Sequence, residues 1–433
     1  MLSAKFHTFG CRLNHTETSS MAKSLADAGF SLVEQTNSLA DVHVINSCSV
    51  TNQAVKKCKQ LIRSIKRNDS NAKIVLAGCF AQSHLADAMS VPGVDILLGN
   101  VEKFSLADYL KDYAKNSEAT KVVDVKKIPA GSFMVNSPPT RLTKTRVNLK
   151  IQDGCDFFCS FCIIPFARGR SRSRDIDNLL AEANLLVSKG FRELVLTGVN
   201  IGLYQNKGVD FMGLLAFLAK IKGLDRIRIS SIEPTTIDES LLEEMADSDS
   251  KIVNHLHLPL QSGNDIILRD MRRKYTCHEF LDFTQKAVSM VPNICIGTDV
   301  IVGFPSETKD DFAKTYRFLD ESPINYFHVF PFSIREGTVA AKIKFKENQA
   351  EHKRWAKSLR TLSSQKWRLY YIKYIGEKMK ILLEDEVAVN LWRGYSSNYI
   401  RVLVAGENLA NKICQVEVTN FDDQFNALKG KLV

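Results

Sequence analysis

Three cysteines with the spacing Cys155-x-x-x-Cys159-x-x-Cys162 constrain the fold of this chain more than any other sequence feature. They lie on one loop directly after a predicted strand, and no fourth cysteine is close to them in the sequence. Structural zinc usually takes four protein ligands, whereas three thiolates on a cubane cluster leave one iron open to a small molecule. The spacing therefore predicts a [4Fe-4S] cluster, with a structural zinc loop or buried thiols as the alternatives.

A second group of cysteines follows three predicted strands near the start of the chain. The segments KFHTFGC, VHVINSC and KIVLAGC end at Cys11, Cys48 and Cys79. Because the carboxyl ends of neighbouring parallel strands meet at one edge of a sheet, we expect these thiols to converge. They predict a second [4Fe-4S] cluster, with three buried core cysteines as the alternative. The remaining thiols fit neither group and are interpreted as packing residues: Cys58, Cys277, Cys295 and Cys414.

The pattern of strands and helices predicts an α/β protein with three domains. Residues 1–128 alternate short apolar runs with helical periodicity, as in a doubly wound parallel sheet. A Pro-, Gly- and Ser-rich stretch, 129–140, indicates an exposed linker. Six further βα repeats in 141–370 predict a partial (β/α)6 barrel, and alternating residues in 371–433 predict a small antiparallel β-barrel.

Charge and hydropathy indicate the class of partner. The formal net charge of +10 is concentrated in the segments 52–73, 141–174 and 351–370. Clustered basic charge favours nucleic acid as a partner, and solvated helix faces are the alternative. No apolar stretch of about eighteen residues is present, so we expect no membrane partner. The absence of an apolar leader predicts a cytoplasmic location, where cysteines stay reduced, and ten cysteines in that compartment favour metal binding over disulfides.

The loop of Cys155, Cys159 and Cys162 at the head of a βα series resembles the radical S-adenosylmethionine (SAM) superfamily. This resemblance implies a partial barrel that binds SAM at its open iron and cleaves it to a 5'-deoxyadenosyl radical. It also implies SAM-contacting positions at the loop and at the carboxyl ends of the strands. These cofactor-binding candidates are Phe161, Gly198, Glu233, Gln261, Gly303 and Phe304.

The whole chain is similar to the radical SAM methylthiotransferases, through FGCRLNHTET, NSCSVTNQA, KIQDGCDFFCSFCIIPFARGRSRSR and LPLQSGND. These segments resemble those of the branch that attaches a methylthio group to carbon 2 of N6-threonylcarbamoyladenosine at position 37 of tRNA. This resemblance implies that both cysteine triads are catalytic, that SAM is used twice, and that the auxiliary cluster holds sulfur. It further implies three partners: a tRNA anticodon stem-loop, an electron donor such as flavodoxin or ferredoxin, and a sulfur source.

Two groups of residues are candidates for RNA contact. Alternating arginines after the cluster loop, if extended, would line up for phosphates, and pairing with structural acids such as Asp175 and Asp177 is the alternative. The last 63 residues resemble the TRAM domain, an RNA-binding barrel, in which aromatic residues stack on bases or fill the core. The RNA-binding candidates are Arg168, Arg170, Arg172, Arg174, Trp392, Arg393 and Tyr395.

Three other functions are compatible with these features. A relative acting on isopentenyladenosine-37 of tRNA would share both clusters. A relative acting on an aspartate of a ribosomal protein would share them too, but the basic segments and the balanced charge of the tail argue against it. A non-catalytic, metal-containing RNA-binding protein would hold zinc in place of iron.

Overall fold

The computed structural model describes residues 2–33, 40–115, 121–136 and 145–433. The chain divides into two compact units. The first unit comprises Met1–Thr140, Lys150–Leu179 and Ser333–Lys342, and the second comprises Arg141–Leu149, Leu180–Phe332 and Ile343–Val433. The predicted three-domain division stays a prediction, and residues 137–144 at its linker lie outside the described residues.

A parallel sheet with helices on both faces forms most of the first unit. Its strand order is β2-β1-β3-β4-β5-β6, and every neighbouring pair is parallel. This confirms the predicted doubly wound sheet. The elements are β1 (Ser3–Thr8), α1 (Arg12–Asp27), β2 (Ser31–Leu32), β3 (Val42–Ser47), α2 (Asn52–Asn68), β4 (Lys73–Gly78), α3 (Cys79–Ser83), α4 (Leu85–Met89), β5 (Ile96–Leu98), α5 (Leu106–Lys115) and β6 (Val122–Asp124).

Alternating apolar residues along the strands build a core on each face of this sheet. Val44 and Val75, which are paired in register, pack with Met21 and Leu25 of α1 on one face. The next pair in register, Ile45 and Leu76, packs against α2 on the opposite face. A strand buried on both faces reads as a continuous apolar run, which is why these strands were visible in the sequence.

The second unit contains the partial barrel. Its strands are β7 (Arg146–Lys150), β10 (Glu193–Thr197), β13 (Arg226–Ile229), β14 (His255–His257), β15 (Cys295–Val302) and β16 (Tyr326–Pro331). They form two three-stranded sheets, β7-β10-β13 and β14-β15-β16, joined by the parallel bridges Ile227–Ile252 and Ser231–His257. Six strands agree with the six βα repeats predicted for 141–370, which confirms the partial barrel.

Short strands and helices connect the barrel strands and precede the tail. In chain order the remaining elements are β8 (Gln152–Asp153), α6 (Ile164–Arg168), β9 (Arg172–Ser173), α7 (Ile176–Ser188), β11 (Gln205–Asn206), β12 (Val209–Asp210), α8 (Phe211–Ala219), α9 (Ser240–Ala246), α10 (Asp265–Asp270), α11 (Cys277–Met290), α12 (Lys309–Glu321) and α13 (Gln349–Ile372). Of these, β8, α6, β9 and the start of α7 belong to the first unit. None of the helices in the described ranges has the length and hydropathy needed to cross a bilayer.

The tail is a closed five-stranded barrel, as the sequence predicted, but its strands are not all antiparallel, because β19 pairs with β21 in a parallel manner. It consists of β17 (Lys378–Ala388), β18 (Leu391–Tyr395), β19 (Arg401–Ala405), β20 (Ile413–Asp422) and β21 (Ala427–Leu432), in the closed order β17-β18-β19-β21-β20. Its core contains Ile381, Val402 and Val416, with Tyr370 and Tyr371 of α13 packed in the same cluster.

Two buried arginines of β13 bind the backbone of this tail barrel. Arg226 donates to the carbonyl oxygens of Lys380 and Tyr395, both at 2.8 Å. Arg228 donates to Ser396 and Ser397 at 3.3 and 3.2 Å and pairs with buried Glu193 at 2.6 Å. Since an unpaired buried guanidinium is costly, these contacts fix the tail to the strands of the second unit.

Candidate active site

The three amino-terminal cysteines follow three adjacent strands of the parallel sheet. Cys48 comes directly after β3, Cys79 directly after β4, and Cys11 caps helix α1 just beyond β1. The register pairs Thr8 with Asn46 and Ser47 with Gly78, so the three strands end at the same level. The structure thus places the three thiols at one edge of the sheet, as expected from the sequence.

A glycine permits the close approach of two of these cysteine loops. Gly10 has a φ of +103°, and a Cβ atom built on it would lie 2.6 Å from the Cβ of Cys48 and 2.7 Å from its Sγ. Both the backbone conformation and the space therefore exclude a side chain at position 10. Burial, together with the neighbouring thiols of Cys79 and Cys11, raises the pKa of Cys48 to about 12.

The second triad lies on a loop of the same unit, between β8 and α6. Strands β8 and β9 pair in an antiparallel manner, and the amide of Cys155 donates to the carbonyl of Gly169 at 3.1 Å, which closes the loop. The amide of Cys162 donates to the carbonyl of Cys159 at 3.0 Å. All three cysteines and Phe161 are half-buried, so the thiols face a partly open space.

The spacing of the thiols fits a group larger than a single ion. Among the described residues, one set of three potential metal ligands has all of its ligand atoms within 4.8 Å of one another. This set contains no cysteine. Two thiolates on one tetrahedral zinc lie about 3.8 Å apart, given a Zn–S bond of about 2.3 Å. Neither triad therefore has all three Sγ atoms within 4.8 Å of one another, and three thiolates around an iron–sulfur cubane fit the donor set.

A buried network of charges connects the two cysteine regions. Glu17 on α1 accepts hydrogen bonds from Lys150 at 2.7 Å, from Lys103 at 2.7 Å and from Arg168 at 2.9 and 3.0 Å. Asp153, two residues before Cys155, accepts from Lys150 at 2.6 Å and from Arg168 at 3.0 Å. The side chains of these five residues are at most 6% exposed.

The network carries more positive than negative charge. Burial alone would raise the pKa of Glu17, but Arg168, Lys103 and Lys150 lower it well below its usual value. Burial likewise opposes ionisation of Asp153, yet Lys150 and Arg168 bring its pKa to about 2. Three cations thus face two carboxylates. The extra positive charge lies beside the thiols, which is what an anionic thiolate-bound cluster requires.

Asparagines connect this network to the cysteines themselves. Asn14 accepts from Arg168 at 2.6 Å and donates to the carbonyl of Ser47, next to Cys48, at 3.0 Å. Asn100 accepts from Lys103 at 2.8 Å and donates to the Sγ of Cys79 at 3.6 Å. It also donates to the carbonyl of Ala167 in α6 at 2.7 Å. These residues were not predicted from the sequence, although Asn14 and Glu17 lie in the segment FGCRLNHTET, close to Cys11.

The structure corrects the predicted strip of RNA-binding arginines. Arg168 lies in helix α6 and binds Glu17, and Arg172 lies beside Asp153, at 3.7 Å. Arg174 donates to Asn178 at 2.8 Å and to the carbonyl of Lys150 at 3.3 Å. All three are buried, because helix α6 replaces the start of the extended run that the alternation predicted. Only Arg170 of this group is exposed, at 70% of its side chain, close to Asp156.

The predicted SAM-contacting residues of the second unit lie at the carboxyl ends of its barrel strands. Gly198 follows β10, and Glu233 follows β13 and pairs with Arg273. Burial raises the pKa of Glu233, although Arg273 opposes this shift. Gln261 has a φ of +73° and bridges to Val300 of β15. Their contact with SAM stays a prediction.

The loop after β15 presents Gly303, while the ring of Phe304 is fully buried. A Cβ atom at Gly303 would lie 2.6 Å from the ring of His352, and its φ is +77°. Phe304 packs edge-on against Phe332 at 5.5 Å, so its ring is part of the core. Glu307, which the sequence analysis missed, accepts from the amide of Gly303 at 2.6 Å. Burial raises the pKa of Glu307 to about 7.

The three RNA candidates of the tail all have partners within the fold. The indole of Trp392 donates to the carbonyl of Gly406 at 2.9 Å, and Arg393 pairs with Asp385 at 2.5 Å. The guanidinium of Arg146 lies 4.3 Å from the ring centroid of Tyr395. Each side chain is partly exposed, and a contact with RNA stays a prediction for all three.

Comparison with known proteins identifies the family. Residues 149–319 match the Radical SAM superfamily, and residues 3–99 match the Uncharacterized protein family UPF0004. The chain is 38% identical to the threonylcarbamoyladenosine tRNA methylthiotransferase MtaB of Bacillus subtilis, over 98% of this chain and 96% of that protein. The chain belongs to the MtaB methylthiotransferase family.

Further relatives extend this assignment. The MtaB protein of Aquifex aeolicus is 36% identical over 96% of this chain and all of that protein. A tRNA-2-methylthio-N(6)-dimethylallyladenosine synthase of Clostridium botulinum is 32% identical, over 82% of this chain and 80% of that protein. Among solved structures, the radical SAM methyltransferase TsrM of Kitasatospora setae aligns with a TM-score of 0.55 at 13% identity, over 78% of this chain and 77% of that one. The latter likeness concerns the fold alone.

Members of the MtaB family are radical SAM enzymes that use SAM and [4Fe-4S] clusters, which agrees with the cofactors predicted from the two triads. The thiols that would hold the clusters are Cys155, Cys159 and Cys162 on the barrel loop and Cys11, Cys48 and Cys79 at the sheet edge. Both sets belong to one compact unit, and helix α6, directly after Cys162, contacts helix α3, which begins at Cys79.

Proposed function

We propose that this chain transfers a methylthio group to carbon 2 of N6-threonylcarbamoyladenosine at position 37 of tRNA. The similarity to MtaB proteins across both cluster regions and the tail barrel carries this proposal. When bound, two clusters and two SAM molecules supply a methyl group, sulfur and a 5'-deoxyadenosyl radical. Carbon 2 of adenine has an unactivated C–H bond, for which radical chemistry is a suitable route.

The residues of the chain position and insulate this chemistry. The thiols of Cys11, Cys48 and Cys79 hold the auxiliary group at the sheet edge, where Gly10 leaves the space that the Cys48 loop occupies. Arg168 donates its hydrogen bonds to Glu17, Asp153 and Asn14, so the end of α6 is tied to both cysteine regions. The positive charge of Arg168 lies close enough to Cys11 and Cys79 to offset the negative charge of their thiolates.

The proposed partners follow from the same reaction. The tRNA is expected to bind through its anticodon stem-loop, which carries position 37. An electron donor such as flavodoxin or ferredoxin would reduce the barrel cluster, and a separate sulfur source would replenish the auxiliary site. Since tRNA is the proposed substrate, we also propose that the reaction takes place in the cytoplasm. Exposed Arg170 is the proposed phosphate contact of the loop region.

Nucleoside mass spectrometry after an anaerobic reaction tests the substrate. The protein is reconstituted with iron and sulfide and incubated with SAM, dithionite and tRNA that carries either threonylcarbamoyladenosine or isopentenyladenosine. We expect methylthio addition only on threonylcarbamoyladenosine. Because a dimethylallyladenosine-directed relative is 32% identical, modification of isopentenyladenosine alone would overturn the substrate assignment.

Cysteine variants test the assignment of the two clusters. Two cubane clusters bring about eight irons per chain. The triple variants Cys155→Ala/Cys159→Ala/Cys162→Ala and Cys11→Ala/Cys48→Ala/Cys79→Ala should each retain about half of the iron. SAM cleavage should be lost only in the first. The variant Cys58→Ala, in a buried thiol outside both triads, is the control and should keep all of the iron.

A further inference from the structure

A cluster of metal-ligating side chains in the second unit belongs to neither thiol triad. His257 on β14, Asp299 on β15 and His328 on β16 stand on three adjacent parallel strands. Asp299 is directly opposite His328, and the register pairs His257 with Gly297, two residues before Asp299. Because side chains alternate along a strand, Gly297 and Asp299 share a face, which brings all three side chains together.

The donor atoms of these residues converge closely. One ligand atom from each of the three lies within 4.8 Å of the other two. The Nε2 atom of His257 is 3.0 Å from Oδ1 of Asp299, and the rings of His257 and His328 stack with centroids 5.6 Å apart. Two ligand atoms that bind one ion at right angles, each at about 2.1 Å, are about 3.0 Å apart. The observed distance of 3.0 Å between Nε2 of His257 and Oδ1 of Asp299 matches this ligand–ligand distance.

A hydrogen-bond relay fixes the orientation of the His257 ring. Its Nδ1 atom is 3.4 Å from the hydroxyl of Tyr326, and that hydroxyl is 2.9 Å from Nε2 of His255. Ligating histidines commonly use their second nitrogen in such a bond, which orients the ring and sets the tautomer. When Nδ1 of His257 donates to Tyr326, the Nε2 lone pair of the neutral ring points towards the carboxylate of Asp299. Two acceptors at 3.0 Å repel each other unless a proton or a metal cation lies between them.

An ion can reach these ligands from the solvent. His257 is buried, Asp299 is half-buried and His328 is exposed, so the triad opens outwards on the side of His328. Two neutral imidazoles and one carboxylate suit borderline divalent transition metals, and they leave coordination positions for water. We propose that His257, Asp299 and His328 form a mononuclear binding site for a divalent transition metal ion of the Zn²⁺ or Fe²⁺ class.

Zinc binding by the cluster-loaded protein tests the site. Zn²⁺ alone is added to the holoenzyme, whose thiols are occupied, and zinc and iron are both measured after equilibrium dialysis. The wild type should bind one equivalent of zinc, and His328→Ala and Asp299→Asn should each weaken binding at least tenfold. His278→Ala is the matched control, because His278 and Asp282 form an exposed pair, also at 3.0 Å, on helix α11.

Two further measurements make the outcome decisive. X-ray absorption at the zinc edge should show nitrogen and oxygen ligands, including imidazole. Iron content and circular dichroism of His328→Ala should equal those of the wild type, since the side chain is exposed. Equal zinc binding by the wild type and His328→Ala would show that His257 and Asp299 form an ion pair only. Sulfur ligation, or zinc uptake matched by iron loss, would also overturn the proposal.

Discussion

The substitution Glu17→Gln tests whether the buried charge network holds the two cysteine regions together. It keeps the size of the side chain but removes the negative charge that accepts four hydrogen bonds of 2.7–3.0 Å from three cations. Removing one partner of a buried ion pair costs about 3–5 kcal/mol, because the remaining charges stay buried without compensation. We therefore expect the first unit to lose about 3–5 kcal/mol of stability.

The assay must report on the unit that contains Glu17. All three tryptophans, Trp355, Trp367 and Trp392, lie in the second unit, so intrinsic fluorescence would follow the wrong part of the molecule. Hydrogen exchange resolved by peptide is suitable, with peptides that cover α1 and α6. A loss of 3–5 kcal/mol corresponds to exchange that is about two to four orders of magnitude faster in the most protected amides.

A control on the same helix distinguishes the loss of a buried charge from the loss of an exposed one. Asp27 lies at the end of α1 and pairs with Lys23 on the surface. Asp27→Asn should change stability by less than about 1 kcal/mol, as is usual for exposed pairs. If Glu17→Gln leaves exchange in α1 and α6 as slow as Asp27→Asn does, the network contributes no net stability and the reasoning is refuted.

The pH dependence of stability in the wild type and in Glu17→Gln gives a second test of the network. The folded-state pKa of Glu17 is lowered, so its stabilising contribution is complete above the unfolded pKa of about 4.3. This contribution is lost as the pH falls towards the folded-state value. The stability difference between the wild type and Glu17→Gln should therefore be constant between pH 6 and 8, and it should shrink in acid.

Three other substitutions give independent tests. Gly10→Ala should remove about half of the iron, measured after reconstitution, because its Cβ meets Cys48. The melting temperature of the wild type should fall as the pH rises from 6 to 8, and that of Glu307→Gln should fall less. The raised pKa of about 7 means that the buried carboxyl binds a proton more readily when folded and destabilises the protein once it ionises. Arg170→Ala should lower the salt dependence of tRNA binding by about one unit of the log–log slope, measured by filter binding between 50 and 200 mM salt. An unchanged slope would exclude Arg170 as a phosphate contact.

Local patterns were sufficient to predict the strands and the cysteine sites. The strands β3, β4, β10 and β15 consist mainly of buried apolar residues, so a hydrophobic run in the sequence was enough to predict them. The position of each cysteine after a strand then followed from the geometry of parallel sheets. The sequence could not predict which charged residues are internal, because Glu17 and Arg168 are separated by 151 positions and pair only in the folded chain.

The arginines after the barrel loop illustrate this limit. Alternation in ARGRSRSR predicts one face of an extended strand, but the segment contains a helix end, a turn and a two-residue strand. Arg168 and Arg174 therefore point into the protein, where Glu17 and Asn178 accept their hydrogen bonds. A surface of basic residues and a buried ion-pair network have the same composition, and only tertiary contacts distinguish them.

The contacts of Arg226 and Arg228 with the tail barrel affect how truncated forms of this protein are interpreted. A chain that ends before β17 would lose four carbonyl acceptors, and Glu193 alone would then remain close to the guanidinium groups of Arg226 and Arg228 among the contacts described above. Such a protein has a damaged catalytic barrel as well as no tail. Reduced tRNA modification by a truncated enzyme is then no measure of how much the tail contributes to RNA binding, and point substitutions on the outer face of the tail are the appropriate probe.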